Sequence, residues 1–211
     1  GAASIAPIAK GRRTMTVIGL TGGIASGKST VSAYLRGKEL PVFDADACVH
    51  TLQQKGSPCL EEMVNAFGKE ILRKDGELDR GKMAEMAFHD PQILRQMNAI
   101  VQGAAARKRD VFLQEHKNDP VVILDVPLLL ESGWNEKTDQ VWLVFIPEKE
   151  QIRRAMERSG MRREEVAARM RRQWPLAKKK EYADVVLDNS GSVETLYAQV
   201  DQALEELFKN S

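Results

Sequence analysis

A glycine-rich segment constrains the fold of this chain more than any other part of its sequence. Residues 22–29 read Gly-Gly-Ile-Ala-Ser-Gly-Lys-Ser, fit the pattern G-x-x-x-x-G-K-[ST], and follow the apolar run 16–20. Glycine allows backbone angles that a Cβ disfavours, so successive N–H groups can surround a phosphate of a nucleotide. Lys28 can reach the β- and γ-phosphates, Ser29 can ligate Mg²⁺, and the helix from Thr30 onward points its positive end at the same anion. The predicted nucleotide contacts of this loop are Gly22, Gly23, Ile24, Ala25, Ser26, Gly27, Lys28, Ser29 and Thr30.

The composition is that of an ordinary globular protein, and it argues against several functional classes. The 211 residues are 43% hydrophobic and 29% charged, and 31 Lys and Arg against 30 Asp and Glu give a net charge of +1. This balance does not favour general nucleic-acid binding or attachment to an anionic membrane, and apolar runs such as 141–146 are too short to span a bilayer. Two cysteines without a C-x-x-C motif and three scattered histidines predict no structural metal. We expect a soluble, cytoplasmic protein.

Apolar segments predict the strands of a parallel sheet. The clearest is 121–125, where Val, Ile and Leu run without interruption up to a final Asp, as expected for a strand covered by helices on both faces. Alternation of such segments with helical patterns predicts an α/β protein: a doubly wound core built on five parallel strands flanked by helices. The predicted strands are 16–20, 40–43, 121–125, 141–146 and 183–187.

Two stretches without strand patterns interrupt this core. Apolar residues recur at helical spacing from 55 to 116, which predicts a helical insertion that covers the acceptor substrate, although a plain structural hairpin gives the same pattern. Residues 151–180 predict a second helical hairpin, with helices at 151–158 and 162–173. Residues 1–14 contain no acid and no signal-peptide core, and we interpret them as a vector remnant or disordered leader outside the fold, with a transit-sequence fragment as the alternative. The nucleotide-binding core then comprises 15–54, 117–150 and 181–211.

Acidic residues lie at the ends of two predicted strands. Asp44 and Asp46 follow the second strand, and Asp125 ends the third. Because ligands of open α/β sheets bind beyond the carboxyl ends of the strands, these carboxylates should face the same crevice as the glycine loop. We expect Asp125 to help place Mg²⁺, usually through a water molecule, and Asp46 to accept the proton of an attacking hydroxyl. Asp44 is expected to support the site and to cap the helix that begins near Ala47.

Positive charge is concentrated in residues 151–180. Eight Arg and three Lys against three Glu give this segment a net charge of +8, which leaves −7 for the rest of the chain. A solvated helix surface is the usual explanation, and the arginines assigned to it are Arg162, Arg163, Arg171 and Arg172. For Arg154, Arg158 and Arg169 we expect a lid over ATP, because a guanidinium on the transferring phosphoryl group can accelerate transfer by about 10³–10⁵-fold. Such a lid would also exclude water.

Several short motifs follow one another from residue 16 to the C-terminus, and their combination is far more specific than the glycine loop alone. They are the loop at 21–31, Asp44-Ala45-Asp46, Leu78-Asp79-Arg80, Asp125-Val126-Pro127-Leu128-Leu129, Gln173-Trp174-Pro175 with Lys179, and Ala183-Asp184 through Asp188-Asn189-Ser190-Gly191. In this order they closely resemble the bacterial dephospho-CoA kinase family.

The resemblance implies transfer of the ATP γ-phosphate to the ribose 3′-hydroxyl of dephospho-CoA, the last step of coenzyme A synthesis, with Mg²⁺ accompanying ATP. It also implies the P-loop kinase fold, with 55–116 as the acceptor domain and 151–180 as the lid. By position, Asp46 matches the family's base, and Lys28 and Arg154 match its phosphate clamps. Ser29 matches its Mg²⁺ ligand. Further residues are implied as ATP contacts (Arg154, Arg158, Asn189) and as acceptor contacts (Asp44, Asp46, Arg80, Leu128).

One departure from the family concerns the helical insertion. Where the family usually carries a His-Pro pair after an apolar helix, this chain reads Gln102-Gly103. Glutamine cannot carry a charge and glycine cannot stiffen a turn. Ser159 also stands between the lid helices where an acid is common. Neither change affects the phosphate-binding residues.

The same motifs also allow functions other than that of a dephospho-CoA kinase. A kinase of the same fold could act on another small acceptor, such as a nucleoside or a sugar acid. A GTP-dependent switch would use the same loop, and residues 188–191 do spell D-x-x-G, but no N-K-x-D follows to read guanine, so we interpret them as a turn. A basic RNA-binding module at 151–180 lacks interleaved aromatic residues beyond Trp174. We expect a monomer or small homo-oligomer that binds ATP and dephospho-CoA, without nucleic-acid or membrane partners.

Overall fold

A parallel sheet of five strands, in the order β2-β3-β1-β4-β5, forms the centre of the protein. The computed structural model describes residues 15–210, so the predicted leader at 1–14 lies outside the described residues. The strands are β1 (Thr16–Thr21), β2 (Val42–Asp44), β3 (Val121–Asp125), β4 (Gln140–Phe145) and β5 (Val185–Asp188). This arrangement confirms the predicted five-stranded parallel sheet.

Helices connect the strands and cover both faces of the sheet. They are α1 (Lys28–Gly37), α2 (Ala45–Leu52), α3 (Pro58–Phe67), α4 (Arg80–His89), α5 (Pro91–Glu115), α6 (Glu148–Ser159), α7 (Arg163–Met170), α8 (Leu176–Lys180) and α9 (Val193–Lys209), with 3₁₀ turns at Lys69–Ile71 and Trp134–Lys137. Short polar side chains start five of these helices by accepting a hydrogen bond from the first helical turn. These N-cap residues are Asp44, Ser57, Asp79, Asp90 and Ser192.

Alternating strand residues divide the core into two layers. Ile18, Leu20 and Ile123 point to the face that α1 and α9 cover, and all three are fully buried. Val17 and Val122 point to the opposite face, where they join the apolar residues of α2 to α5. The sheet is therefore sandwiched between helices, which explains why its central strands read as unbroken apolar runs.

The helical region between β2 and β3 differs from the sequence expectation at one point. Gln102 and Gly103 lie inside α5, a continuous helix of 25 residues, and not at a turn after a helix. Without proline at this position the backbone N–H remains available for the helix, and Ala104 and the two alanines after it favour helix formation. A short antiparallel bridge between Leu72 and Leu78 also lies in this region.

The arginine-rich hairpin is formed by α6 and α7. Gly160 ends α6 in the left-handed conformation, with φ of 67°, as expected for a glycine at a helix C-terminus. The second helix is shorter than predicted, because α7 ends at Met170 and not at Gln173. The backbone N–H of Trp174 instead donates to the Glu131 side chain at 3.1 Å, and Pro175 follows, which favours extended backbone before it.

Among residues 15–210, no helix combines the length and apolar character needed to cross a lipid bilayer. The same residues contain no group of three or more His, Cys, Asp and Glu side chains arranged to hold a metal ion.

Candidate active site

The glycine loop joins β1 to α1 at the carboxyl end of the sheet. Gly27 is the N-cap of α1 and has φ of 96°, a left-handed conformation that glycine adopts without steric cost. A Cβ at this position would lie 2.1 Å from Nδ2 of Asn189, so a larger residue would displace the Asn189 side chain. Ala25 also has positive φ, at 59°. The loop therefore has the irregular backbone that a phosphate-binding turn requires.

Hydrogen bonds within the protein hold the loop in this shape. The Gly23 N–H donates to Oγ of the buried Ser26 at 3.1 Å. Asn189, which follows β5, donates from Nδ2 to the Ser26 carbonyl at 2.8 Å, and its own N–H donates to the Phe145 carbonyl at 2.9 Å. The side chain of Asn189, for which the family resemblance implied an ATP contact, thus braces the loop from outside.

Lys28 and Asp125 form an ion pair directly beneath the loop. Lys28 begins α1, and the Asp125 side chain, at the end of β3, is only 5% exposed. The strand register brings Asp125 close to Lys28, because Asp125 pairs with Leu20 of β1 on one side and with Asp44 of β2 on the other. Ser29, the other predicted Mg²⁺ ligand, is exposed on the first turn of α1.

The two acids after β2 have different environments. Asp44 caps α2, accepting from the Ala47 N–H at 3.0 Å, and its other oxygen lies 3.7 Å from the Arg36 guanidinium. Asp46, in the first turn of α2, opens to solvent and has no hydrogen-bond or ion-pair partner among the described residues. Desolvation by the surrounding protein raises the pKa of its carboxyl, while nearby Lys28 opposes this shift. Asp46 is thus free to bind an incoming group.

The predicted lid arginines also differ from one another. Arg154 is half-buried: its guanidinium donates to the Asn189 carbonyl at 3.0 Å and to Glu150 at 2.8 Å. Hydrogen bonds from Arg153 and Arg154 lower the pKa of Glu150 to about 2. Arg158, one turn after Arg154, is exposed and has no ion-pair partner within residues 15–210. Arg169 on α7 is exposed as well.

The other two predicted acceptor residues lie in different parts of the chain, Arg80 in the helical insertion and Leu128 in the turn after β3. Arg80, the first residue of α4, donates to Gln53 at 2.6 Å and lies 3.3 Å from Nδ1 of His50. Together these three side chains line a cavity of about 700 Å³ between the end of α2 and the start of α4, with Lys55 and Arg73 on its wall. Leu128, in the turn after β3, is partly exposed.

Two residues near the site were not recognised as such from sequence. Lys179, in a run of three lysines, is fully buried, and its ammonium group contacts the Gly22 carbonyl at 2.9 Å. Glu131 pairs with it at 3.3 Å. A lysine run usually lies on a solvated surface, so composition gives no signal here. The available clues were the place of Lys179 in the family motif and its position three residues after buried Leu176, on one face of α8.

A parallel sheet with a glycine loop after β1, an acid at the end of the adjacent β3 and a helical hairpin after β4 defines the class of P-loop kinases. A family model described as dephospho-CoA kinase matches residues 16–195. The chain belongs to the dephospho-CoA kinase family.

Individual relatives agree with the family model. A dephospho-CoA kinase of Symbiobacterium thermophilum is 46% identical over 191 residues, which is 90% of this chain and 80% of the relative. The corresponding protein of Shouchella clausii is 43% identical over 189 residues, 89% of this chain and 96% of the relative. The crystal structure of TT1252 from Thermus thermophilus is similar with a TM-score of 0.79 and 39% identity, and the match covers 92% of this chain and 98% of that chain.

These findings confirm the sequence-based prediction of a dephospho-CoA kinase, and therefore of an enzyme that transfers phosphate. They do not favour the alternative of a P-loop kinase for a nucleoside or sugar acid. The roles of individual residues, and the division into core, acceptor domain and lid, stay predictions.

Proposed function

We propose that this chain transfers the γ-phosphate of ATP directly to the ribose 3′-hydroxyl of dephospho-CoA, and that Asp46 accepts the proton of that hydroxyl. The observation that carries the proposal is that three features lie together at the carboxyl ends of β1, β2 and β3. They are the glycine loop, the Lys28–Asp125 ion pair, and Asp46, which has no partner among the described residues. Phosphoryl transfer needs mainly positioning and charge stabilisation, which this set of groups supplies.

The donor side consists of the loop and Lys28. Backbone N–H groups of the glycine loop that are not already bonded within it, together with the N-terminus of α1, bind the β-phosphate, and the Lys28 ammonium reaches the β- and γ-oxygens. Arg154 extends this positive surface from α6, where Glu150 and the Asn189 carbonyl orient its guanidinium. Charge that develops on the transferring group is thereby stabilised by groups already in place.

Ser29 and Asp125 would hold Mg²⁺ with ATP. The donor set fits this ion, since Mg²⁺ in kinases takes one or two hard oxygen ligands from the protein and the remainder from phosphates and water. When bound, Mg²⁺ neutralises charge on the β- and γ-phosphates.

Asp46 performs the acid–base step. As the ribose 3′-oxygen bonds to phosphorus and the bond to the ADP oxygen breaks, the hydroxyl proton passes to the Asp46 carboxylate. Asp44 assists indirectly, because its bond to the Ala47 N–H fixes the first turn of α2 that carries Asp46. No covalent enzyme intermediate is required.

Residues 55–116 form the acceptor domain in this proposal. Dephospho-CoA carries a diphosphate, and the cavity beside Arg80 is also lined by Lys55 and Arg73, together with the acids Glu77 and Asp79. Arg73 is paired with Asp75 at 3.4 Å, so Arg80 and Lys55 are the cations that would meet the diphosphate. Leu128, partly exposed in the turn after β3, supplies an apolar contact for the acceptor. The cavity opens next to α2, the helix that presents Asp46.

Residues 151–180 act as the lid. Arg158 and Arg169 are exposed and unpaired with acids among the described residues, so closure of the hairpin can bring them to the phosphates without breaking ion pairs. We further infer a cytoplasmic enzyme, monomeric or in a small homo-oligomer, that uses no nucleic-acid partner.

A coupled assay of ADP release with ATP, Mg²⁺ and dephospho-CoA tests the function, with adenosine, gluconate and shikimate as control acceptors. We expect ADP release that depends on dephospho-CoA and a product with the mass of coenzyme A. Release with one of the control acceptors in place of dephospho-CoA would contradict the proposed substrate while keeping the kinase chemistry.

A further inference from the structure

Lys179 is a fully buried lysine whose ammonium group contacts both the glycine loop and the turn after β3. It donates to the carbonyl of Gly22 at 2.9 Å and to that of Pro127 at 3.0 Å. The Glu131 carboxylate lies 3.3 Å away. These partners are the first residue of the loop and two residues of the turn after β3, so one side chain of α8 joins the loop to that turn.

Packing alone does not explain a charge at this position. Burial lowers the pKa of Lys179 by desolvation, and the nearby Glu131 carboxylate opposes this shift. Replacing a buried ion pair by apolar side chains of similar volume is often neutral or stabilising, so such a pair is weak evidence of a role in stability. What an apolar side chain cannot supply is hydrogen bonds to the two carbonyl oxygens.

The bond to Gly22 sets the orientation of the first peptide of the loop. In a planar trans peptide, the carbonyl of one residue and the N–H of the next point in opposite directions. Lys179 holds the Gly22 carbonyl, and Ser26 Oγ accepts from the Gly23 N–H of the same peptide at 3.1 Å. This peptide is therefore held from both sides before any nucleotide binds.

The same cluster connects to the strand that carries Asp125 and to the arginine-rich hairpin. The Pro127 carbonyl also accepts from Thr21 Oγ1 at 3.0 Å, which ties the end of β1 to the turn after β3. Glu131 also accepts from the N–H of Trp174 at 3.1 Å, in the segment that returns from α7. Lys179 thus contacts the loop and the turn beyond Asp125 directly, and Glu131 links it to the end of the hairpin.

We propose that Lys179 is a positioning residue for phosphate binding: its ammonium group fixes the Gly22–Gly23 peptide so that the glycine loop is already shaped for the nucleotide. The inference rests on the proposed function only in taking a nucleotide as the ligand of the loop.

Calorimetric titration with ADP tests this proposal without any acceptor substrate. In Lys179→Met we expect ADP affinity to fall about tenfold or more, since a buried carbonyl loses its donor and Glu131 loses its counter-ion. The double variant Lys179→Met/Glu131→Gln removes the uncompensated charge and should recover most of the lost thermal stability. Lys180→Met, an exposed lysine on the same helix over the Phe145 ring, is the matched control and should bind ADP as the unmodified protein does.

The double variant separates positioning from mere stability. If its unfolding midpoint returns while its ADP affinity stays about tenfold low, the loop needs the ammonium donor and the proposal stands. If its ADP affinity returns together with its midpoint, Lys179 serves only to neutralise Glu131, and the proposal is overturned.

Hydrogen exchange gives a second measurement on the single variant, well below its unfolding midpoint. We expect faster exchange at the amides of residues 23–26, with the amides of α9 unchanged. Uniform acceleration across the molecule would show general destabilisation and would contradict a positioning role. Both measurements use ADP or no ligand, so a failure of the dephospho-CoA assay would not affect their outcome.

Discussion

The glycine loop and two charged groups outside it, Asp46 and the hairpin arginine Arg158, serve one reaction, but the protein holds them very differently. Arg154 of the same hairpin belongs with the held groups, because it donates to Glu150 and to the Asn189 carbonyl. In the loop region (residues 22–29 with Asp125 and Asn189), backbone and side-chain groups are bonded to one another or to Lys179. In the open region (Asp46 and the hairpin arginine Arg158), the charged groups have no ion-pair partner among the described residues. The loop region is therefore held in shape before substrates bind, whereas the charged groups of the open region are free to contact substrates.

This difference matches what each region has to do. Electrostatic stabilisation works best when donors need no reorganisation at the moment of reaction, which favours a rigid loop. A group that must meet a hydroxyl or follow a moving phosphate needs freedom instead, and so it cannot be engaged in bonds within the protein. Loss of a group from the loop region should therefore affect binding and turnover together, and loss from the open region should affect turnover alone.

The largest effect is expected for Asp46→Asn. We predict a fall in kcat of about 10³–10⁴-fold, because the amide cannot accept the hydroxyl proton. ADP affinity should stay near that of the unmodified protein, since Asp46 does not bond to the loop. Steady-state kinetics with dephospho-CoA and calorimetry with ADP measure the two quantities, and a large loss of ADP binding would contradict the assigned role. Glu39→Gln, in the exposed turn after α1, serves as a control.

Lys28→Met should behave as expected for a loop-region residue, with losses in both turnover and nucleotide binding. Turnover is expected to fall about 10²–10³-fold, as when one electrostatic donor is removed from an active site. Nucleotide affinity should fall as well, because the same ammonium binds the ground-state phosphates. Lys117→Met, an exposed lysine far from the loop in sequence, is the control for charge. Normal turnover in Lys28→Met would refute the phosphate-binding role of the loop.

Arg158→Ala tests the open region on the hairpin. We expect kcat to fall about 10²-fold, with ADP affinity and the unfolding midpoint nearly unchanged, because the side chain is exposed and has no ion-pair partner among residues 15–210. Arg163→Ala, on the neighbouring helix of the hairpin, should have little effect on any of the three. If Arg158→Ala weakens ADP binding as strongly as Lys28→Met does, the separation between the two regions fails.

Asn189→Ala tests how rigid the loop region is. Its loss removes the hydrogen bond to the Ser26 carbonyl, which should cost about 1 kcal/mol of unfolding free energy and a similar amount of nucleotide binding. Chemical denaturation and ADP titration check this. Glu205→Ala, at an exposed position of α9, is the control and should change neither quantity appreciably. An unchanged ADP affinity in Asn189→Ala would show that the loop keeps its shape without this brace.

The loop region could be predicted from sequence because its signals are local. Gly27 and Lys28 have fixed spacing within one motif, and Asp125 ends an unmistakable apolar strand. Their meeting then follows from the rule that strand ends of a parallel sheet share one edge. For the same reason the capping role of Asp44 could be foreseen.

The parts that escaped prediction depend on contacts distant in sequence. Lys179 belongs to the family motif, but it reaches Gly22 across 157 positions, and nothing in a run of lysines shows that this one is buried against the loop. Gln102-Gly103 was expected after a helix by comparison with a family pattern, yet local helix propensity carries α5 through it. For Asn189 an ATP contact was expected and stays a prediction, whereas its bond to Ser26 could not be foreseen without knowing where β5 ends.

The smallest predicted effect is on the thermal stability of Asp46→Asn, and it tests whether Asp46 belongs to the open region. Desolvation raises the pKa of this carboxyl in the folded chain. Between the unfolded value, about 3.9, and the raised folded value, the folded state binds more protons, so stability falls as pH rises through this window. Asp46→Asn should therefore unfold at a slightly higher temperature at neutral pH, and solvent screening of this exposed group keeps the difference small.

That advantage should disappear in acid, where both states of the unmodified protein carry a protonated Asp46. The same raised pKa places the acidic limb of kcat at higher pH than an ordinary aspartate would, because the carboxylate form accepts the proton. Thermal unfolding of the two proteins across pH, beside a pH profile of kcat, measures both effects. An Asp46→Asn protein that is less stable at neutral pH would mean that the carboxylate is bonded within the protein, and Asp46 would then belong with the loop region.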